Sequence, residues 1–464
     1  MTARNTASPA ATLFVVSAVQ LLTPFMMSGV GVALPAIGKE FSAGAVQLGL
    51  VEMVYILAVS LIMLPAGRFA DIHGRKKIFL SGTVLFIIAT LLLALAPTME
   101  SFIFFRFLQG AGASMVTATS VAILTSVVPP AQRGRAMGIV VAAVYIGLSA
   151  GPTVAGFMVT HMGWRWIFFT ALPVEILAFY LALTRLKGEW RGAPGMPFDW
   201  KGSLIYMAAL FAMIFGASHL NENTLYPILL AVGTLSMAGF LVFESKSSSP
   251  ILNVNLLREN RVFAFSNLAT LINYAASFGV TFFFSLYLQQ VKGLSPQGAG
   301  LILVIQPIIQ AVLSPISGKL SDRYPPARIA TFGIAVCTVA LGLCTTITRG
   351  TPVPHIVAVL MLLGVGFAFF SSPNMTTVMG SVSPKEYGIA SSLIATMRTV
   401  GMLTAMTLIT LLLSLFMGHA SITQKTADAF VRAMQIGFYL FTALSVISIF
   451  CSMGRMEKEP QPDK

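Results

Sequence analysis

Hydrophobic residues run along this chain in long blocks, separated by short polar segments rich in Arg, Lys, Gly and Pro. A helix needs ~20 mostly apolar residues to cross the hydrocarbon of a bilayer. Fourteen blocks reach that length, at about 11–36, 45–66, 78–97, 101–127, 135–160, 164–185, 201–219, 224–243, 262–290, 296–316, 329–348, 355–378, 387–416 and 432–453. None alternates apolar and polar positions as the strands of a membrane barrel do, so the pattern predicts an all-α membrane protein. The first block is too long for the apolar core of a signal peptide, and no small-residue cleavage site follows it. It is therefore expected to stay in the chain.

Composition agrees. Of 464 residues, 56% are hydrophobic and 10% charged, against about 25% charged in an average soluble protein. A water-soluble globule is excluded, and so is a disordered chain, which needs low hydrophobicity. The net charge of +13 would suit a nucleic-acid binder only if the basic residues formed one patch or tail. They are scattered in twos to fours between the blocks instead. With both termini placed inside, 21 basic residues fall on inner segments and 6 on outer ones, leaving Arg106 and Arg398 within spans. The positive-inside rule then predicts a multi-pass protein of a bacterial plasma (inner) membrane with both termini cytoplasmic. Cys337, Cys344 and Cys451 all lie in apolar blocks and form no CxxC, so a packing role is expected rather than disulfides or a metal site.

The loop after the second block, GRFADIHGRKK (Gly67–Lys77), returns after the tenth as GKLSDRYPPAR (Gly318–Arg328), an offset of 251. The same offset carries the start of the first block, residue 11, to 262, the start of the ninth. This predicts two related six-helix bundles, 1–190 and 262–464, with two helices inserted in 191–261. Parallel repeats of this kind build transporters around a site near the bilayer midplane.

The 67–77 segment resembles the signature loop between the second and third helices of the major facilitator superfamily. Arg106 with Gln109 and Gly110 is similar to that superfamily's fourth-helix motif. Gly147, Gly151, Pro152 and Gly156, in GLSAGPTVAG, resemble its fifth-helix antiporter motif. WRWIF at Trp164–Phe168 and the central insertion resemble the fourteen-span drug:proton antiporter branch. The resemblance covers nearly the whole chain. It implies proton-coupled efflux of lipophilic, cationic drugs or toxic compounds by alternating access. The alternative is a transporter of one metabolite or lipid, with different or no proton coupling. It also implies an interbundle gate at Gly67, Asp71, Gly74 and Arg75, with Asp322 as a weaker copy because Pro325 and Pro326 interrupt it. Two positions depart from the pattern. Ala155 stands where a further glycine is common, and Met26 where the first helix usually carries an aspartate.

Charges inside a bilayer are expensive and usually functional. Glu52, Arg106, Glu175 and Arg398 lie well inside spans. Glu52 sits ~10 Å deep at 1.5 Å per residue and is the nearest replacement for the missing first-helix aspartate. It is expected to carry protons or draw a cation, unless it is a structural strut paired to an Arg. Glu175, behind Pro173, has a structural alternative of equal standing. Arg106 never loses its proton, so it would tune a carboxyl or hold an anion; Arg398 would balance a carboxyl or a substrate. Gln20, Asn267, Asn273, Tyr274, Gln306, Gln310 and Asn374 are candidates for a polar cavity lining, with interhelical hydrogen bonding as the plain alternative. His161 and His219 are read as solvated span ends. No GxxxxGK[ST] loop, HExxH pair or GxSxG elbow occurs. Neither an enzyme, a cofactor nor a metal is therefore expected, and ion gradients remain as the energy source. A channel or a sensor fits less well, given repeated loops at the bundle seams and the lack of a large soluble segment. The expected partners are a small-molecule substrate, protons and lipid, with no nucleic acid, acting on a monomer.

Overall fold

The computed structural model describes residues 8–43, 45–218, 225–294, 296–417 and 426–455, and His219 lies outside them. The N-terminal bundle comprises α1 (Pro9–Phe41), α2 (Ala45–His73), α3 (Arg75–Ala94), α4 (Met99–Val127), α5 (Arg133–His161) and α6 (Arg165–Arg185). Next come α7 (Trp200–Ser218), α8 (Leu225–Glu244) and a short α9 (Val254–Glu259). The C-terminal bundle comprises α10 (Arg261–Leu286), α11 (Pro296–Leu303), α12 (Ile305–Ser321), α13 (Pro326–Cys344), α14 (Val353–Gly380), α15 (Tyr387–Met417) and α16 (Ala427–Gly454). Among the described residues, fourteen helical segments are long and apolar enough to cross a membrane, with α11 and α12 contributing one of them. Helix is the form lipid demands, because it pairs every backbone N–H and C=O within the segment.

Local chemistry sets the boundaries. Gly74 and Gly163 take positive φ, 123° and 95°, at the sharp turns into α3 and α6. Thr98 and Ser101 form a capping box that starts α4. Arg75, Lys76 and Lys77, expected in a loop, belong to the first turn of α3.

The expected repeat reappears as packing. A Cβ on Gly147 of α5 would strike the Leu21 carbonyl of α1; a Cβ on Gly401 of α15 would strike the Leu271 carbonyl of α10. Gly82 approaches the Gly112 carbonyl at the α3–α4 contact, as Gly333 approaches that of Gly366 between α13 and α14. Small residues permit these backbone contacts where lipid supplies no hydrophobic drive between helices. The inserted pair α7–α8 leans on α2 and α15, and the Tyr206 hydroxyl donates to the Ser60 carbonyl at 2.9 Å.

One face of the molecule carries the basic loops around Arg75, Arg133, Lys319 and Lys385. On this basic half a single core joins both bundles: Leu61, Leu64, Val121 and Val140 pack with Val378, Tyr387, Leu393 and Ile394. On the opposite half the cores separate, apart from Ala395 of α15, which packs with the N-terminal one. One gathers Val30, Tyr55, Phe102 and Phe168 of the N-terminal bundle, and another gathers Phe283, Tyr287, Leu360 and Phe438 of the C-terminal bundle. The molecule is therefore closed at the basic face.

Candidate functional site

The closure is built from two acidic residues that each meet the start of a helix in the other bundle. Asp322, at the end of α12, accepts hydrogen bonds from the backbone N–H groups of Gly134 (2.7 Å) and Arg135 (2.9 Å) in the first turn of α5. Those N–H groups have no partner within their helix, and the helix dipole favours negative charge there. Asp71, at the end of α2, sits against Gly388 and Ile389 in the first turn of α15, so closely that a Cβ on Gly388 would strike its carboxylate. Gly67 lies one turn back along α2 and faces Ser392 of α15. On the other seam Gly318 and Gly134 meet backbone to backbone, and Gly138 meets the Ser314 carbonyl. Asp322 thus takes both of its hydrogen bonds across the seam, from the first turn of α5.

Arg75 ties the Asp71 side together. Its Nε donates to Asp71 at 2.7 Å, Nη1 to Ser126 at 2.8 Å and Nη2 to the Pro384 carbonyl at 3.1 Å. One fully buried guanidinium thus links α2, α3, α4 and the segment entering α15.

In the opposite half of the N-terminal bundle the buried charges form a chain. Arg106 Nη2 pairs with Glu52 Oε2 at 3.2 Å, Nη1 donates to Gln109 at 2.8 Å, and the guanidinium lies 4.4 Å over the Tyr55 ring. Arg106 only donates, so the Gln109 oxygen must face it and the amide nitrogen is left to donate to Thr90 at 3.0 Å. The Thr90 hydroxyl, whose one proton is shared with the Phe86 carbonyl of its own helix at 2.8 Å, reaches Glu175 Oε1 at 3.2 Å. Glu52 and Glu175 are thereby the two ends of one hydrogen-bonded line through α2, α4, α3 and α6. The Glu52 side chain is 26% exposed, whereas Glu175 is buried beside a cavity of about 10 Å³ lined by Thr23, Thr83 and Phe86.

Arg398 occupies a different place. It lies on α15, eleven residues beyond the helix start, or ~16 Å along the axis. It is half-buried, with its guanidinium 6.0 Å from the centre of the Tyr274 ring. The Tyr274 hydroxyl lies 3.4 Å from Ser371 Oγ, which lies 3.1 Å from the Tyr145 hydroxyl of the other bundle. The seam at mid-depth is thus lined by α5, α10, α14 and α15.

The remaining candidates divide. Pro152 is exposed on α5, where Gly151 meets Ser28 of α1; Gly147 is buried, and a Cβ on Gly156 would make ordinary contact with Val32 of α1. Asn267 donates to its own helix at Phe263, and Asn374 donates to Ser266 and Thr270 while accepting from Arg455 at 2.6 Å. Both are buried, and the Asn267 Oδ1 is left without a partner. Gln306 donates to Ser277, Gln20 and Gln310 are buried, and Asn273 is buried with both polar side-chain atoms unpartnered. The WRWIF segment docks α6: Trp164 Nε1 and Arg165 both donate to Glu40 at 2.8 Å. Partial burial would raise the Glu40 carboxyl, but these two bonds prevail and hold it below the usual glutamate range.

Sequence reading missed Thr90 as the link to Glu175, Gly388 as the seat of Asp71, and Arg455. Only Arg455 carried a signal, a charge beside an apolar block. Among the described residues, no group of three or more His, Cys, Asp or Glu is placed to hold a metal.

The family profile described as Major Facilitator Superfamily matches residues 16–243 and 267–464. The riboflavin transporter RibZ of Clostridioides difficile is 26% identical over 430 residues, 92% of this chain and 93% of its own length. The multidrug resistance protein Stp of Mycobacterium tuberculosis is 30% identical over 379 residues, 80% of this chain and 70% of its own. Among solved structures, the human organic anion transporter MFSD10 (TETRAN) superposes with a TM-score of 0.68 at 13% identity, covering 96% of this chain and 99% of that one.

Proposed function

The chain belongs to the Major Facilitator Superfamily, and from that premise we propose that it exports lipophilic small molecules in exchange for protons by alternating access. The observation that carries the reading is the reciprocal seating of Asp71 on α15 and Asp322 on α5. It closes one face through contacts that rigid rocking of the bundles would break together. Residues 1–190 and 262–464 act as the rocking units, with 191–261 as an insertion. The basic face is placed in the cytoplasm by the positive-inside rule, which makes this conformation outward-facing.

Proton coupling is assigned to the Glu52–Arg106 pair, with Glu52 serving in place of the first-helix aspartate that Met26 replaces. Protonating Glu52 removes the counter-charge of a buried guanidinium, which then has to find another partner; a buried ion pair broken on one side is costly, at ~3–5 kcal/mol. That cost is the means by which a proton can bias the bundle. The test is Glu52→Gln in proteoliposomes carrying an imposed pH gradient. Gradient-driven transport is expected to be lost while the protein still inserts, and thermal stability should fall, because glutamine like the protonated carboxyl leaves Arg106 without its counter-charge. Undiminished gradient-driven transport by this variant sinks the assignment.

A second reading is a transporter of one metabolite. It is favoured by Met26 and by the relative named as a riboflavin transporter, which matches nearly full length. Saturable uptake or efflux of one compound, with no protection against varied lipophilic toxins, would select it.

A further inference from the structure

Four ionisable side chains lie deep in the spans, and the geometry disposes of three. Glu52 and Arg106 neutralise one another at 3.2 Å. Arg106 is fully buried, with Gln109 and the Tyr55 ring completing its shell. Glu175 is buried in the N-terminal bundle, behind Thr90. Arg398 alone has no carboxylate partner among the described residues, is half-buried, and lies at the seam between the bundles. Its surroundings there are phenols and a hydroxyl: Tyr274 beneath the guanidinium, with Ser371 and Tyr145 continuing across the seam. An arginine that cannot shed its proton has no means of becoming neutral at that depth. It needs an anion or water, and its five N–H donors in a planar fork match a carboxylate or similar oxyanion.

We infer that Arg398 anchors an anionic group of the transported molecule, so that the substrate class is a lipophilic organic anion rather than a lipophilic cation. This rests on reading the seam as the transport site, and it revises the cationic cargo that an unpaired Glu52 implied. Tyr274 and Tyr145 supply hydroxyl donors beside the anion, and Tyr274, packed edge-on against Phe367 at 5.4 Å, offers an aromatic wall to its apolar part. In the closed-basic conformation the residues come from both bundles, so a bound anion reports directly on how the bundles stand.

The test uses 2-naphthoate and its charge-inverted counterpart 2-naphthylmethylammonium, with the full-length protein in phosphatidylcholine proteoliposomes. Equilibrium binding is measured without a gradient, and transport with one. Wild type is expected to prefer the naphthoate. Arg398→Gln should weaken naphthoate binding by about tenfold or more, the ratio expected when a hydrogen-bonded charge is removed. Arg398→Lys should keep most of the preference and guards against a folding defect in the glutamine variant. Equal binding of naphthoate by wild type and Arg398→Gln, or a preference for the ammonium probe, overturns the inference. Displacement of naphthoate by equimolar chloride or by added phosphatidylglycerol overturns it also, because the guanidinium would then be serving an inorganic or headgroup anion. Arg398-dependent binding without gradient-driven movement would leave the anion site standing and sink the antiport reading. Gradient-driven ammonium transport insensitive to Arg398 would do the reverse.

Discussion

At the scale of single residues, what decides the roles is which partner each charge has already taken. Glu52 is legible in the sequence as a costly carboxyl, but its commitment to Arg106, 54 positions away, is a product of folding. Thr90 is the extreme case. As one threonine in an apolar helix it carries no signal, yet it accepts from Gln109 and, sharing its proton with the Phe86 carbonyl, reaches Glu175. Replacing it with the isosteric valine strips both partners at once without changing packing volume. Each buried polar group left unpaired costs ~1–3 kcal/mol, so Thr90→Val should lower the melting temperature in detergent. Thr90→Ser, which keeps the hydroxyl, should restore most of the loss. A valine variant that melts with wild type would mean that water fills the gap and that the line through Gln109 contributes nothing.

At the scale of helices, apolar length was legible and termination was not always. Lipid enforces spans of ~20 residues whatever the tertiary context, which is why fourteen appear where fourteen were expected. The break between α11 and α12 and the π-helical turn at Tyr287–Val291 that follows α10 were not foreseen, since both depend on neighbours. Helix starts prove to be functional surfaces here. The first turn of α5 receives Asp322, and Asp322→Asn leaves an uncharged group against two N–H donors. Hydrogen bonds to a charged partner contribute ~1.5–3 kcal/mol, so this variant should shift the bundles toward opening at the basic face. Faster maleimide labelling of a cysteine placed at Ser371, applied from that face, is the expected readout. An unchanged rate would remove Asp322 from the closure.

At the scale of the whole molecule, the repeat was legible because a loop motif recurs at a fixed offset. Its consequence was not: each copy caps the other bundle. The core is shared on one half and divided on the other, which predicts one-sided access. A cysteine at Gly31, which faces Glu52 with 3.8 Å of clearance, should react with an impermeant maleimide added at the non-basic face. One at Ser371 should resist the reagent added at the basic face. Equal labelling from both sides would contradict the closed half.

The seats that receive Asp71 and Asp322 are main chain, at Gly388–Ile389 and Gly134–Arg135. Peptide groups survive nearly every codon change, so the receiving half of each latch is almost invisible to mutation. Genetic variation can jam these positions with bulk, but it can tune the latch strength mainly through the two aspartates and through Arg75, which holds Asp71. Drift in how readily this protein switches faces should therefore be confined to very few sites.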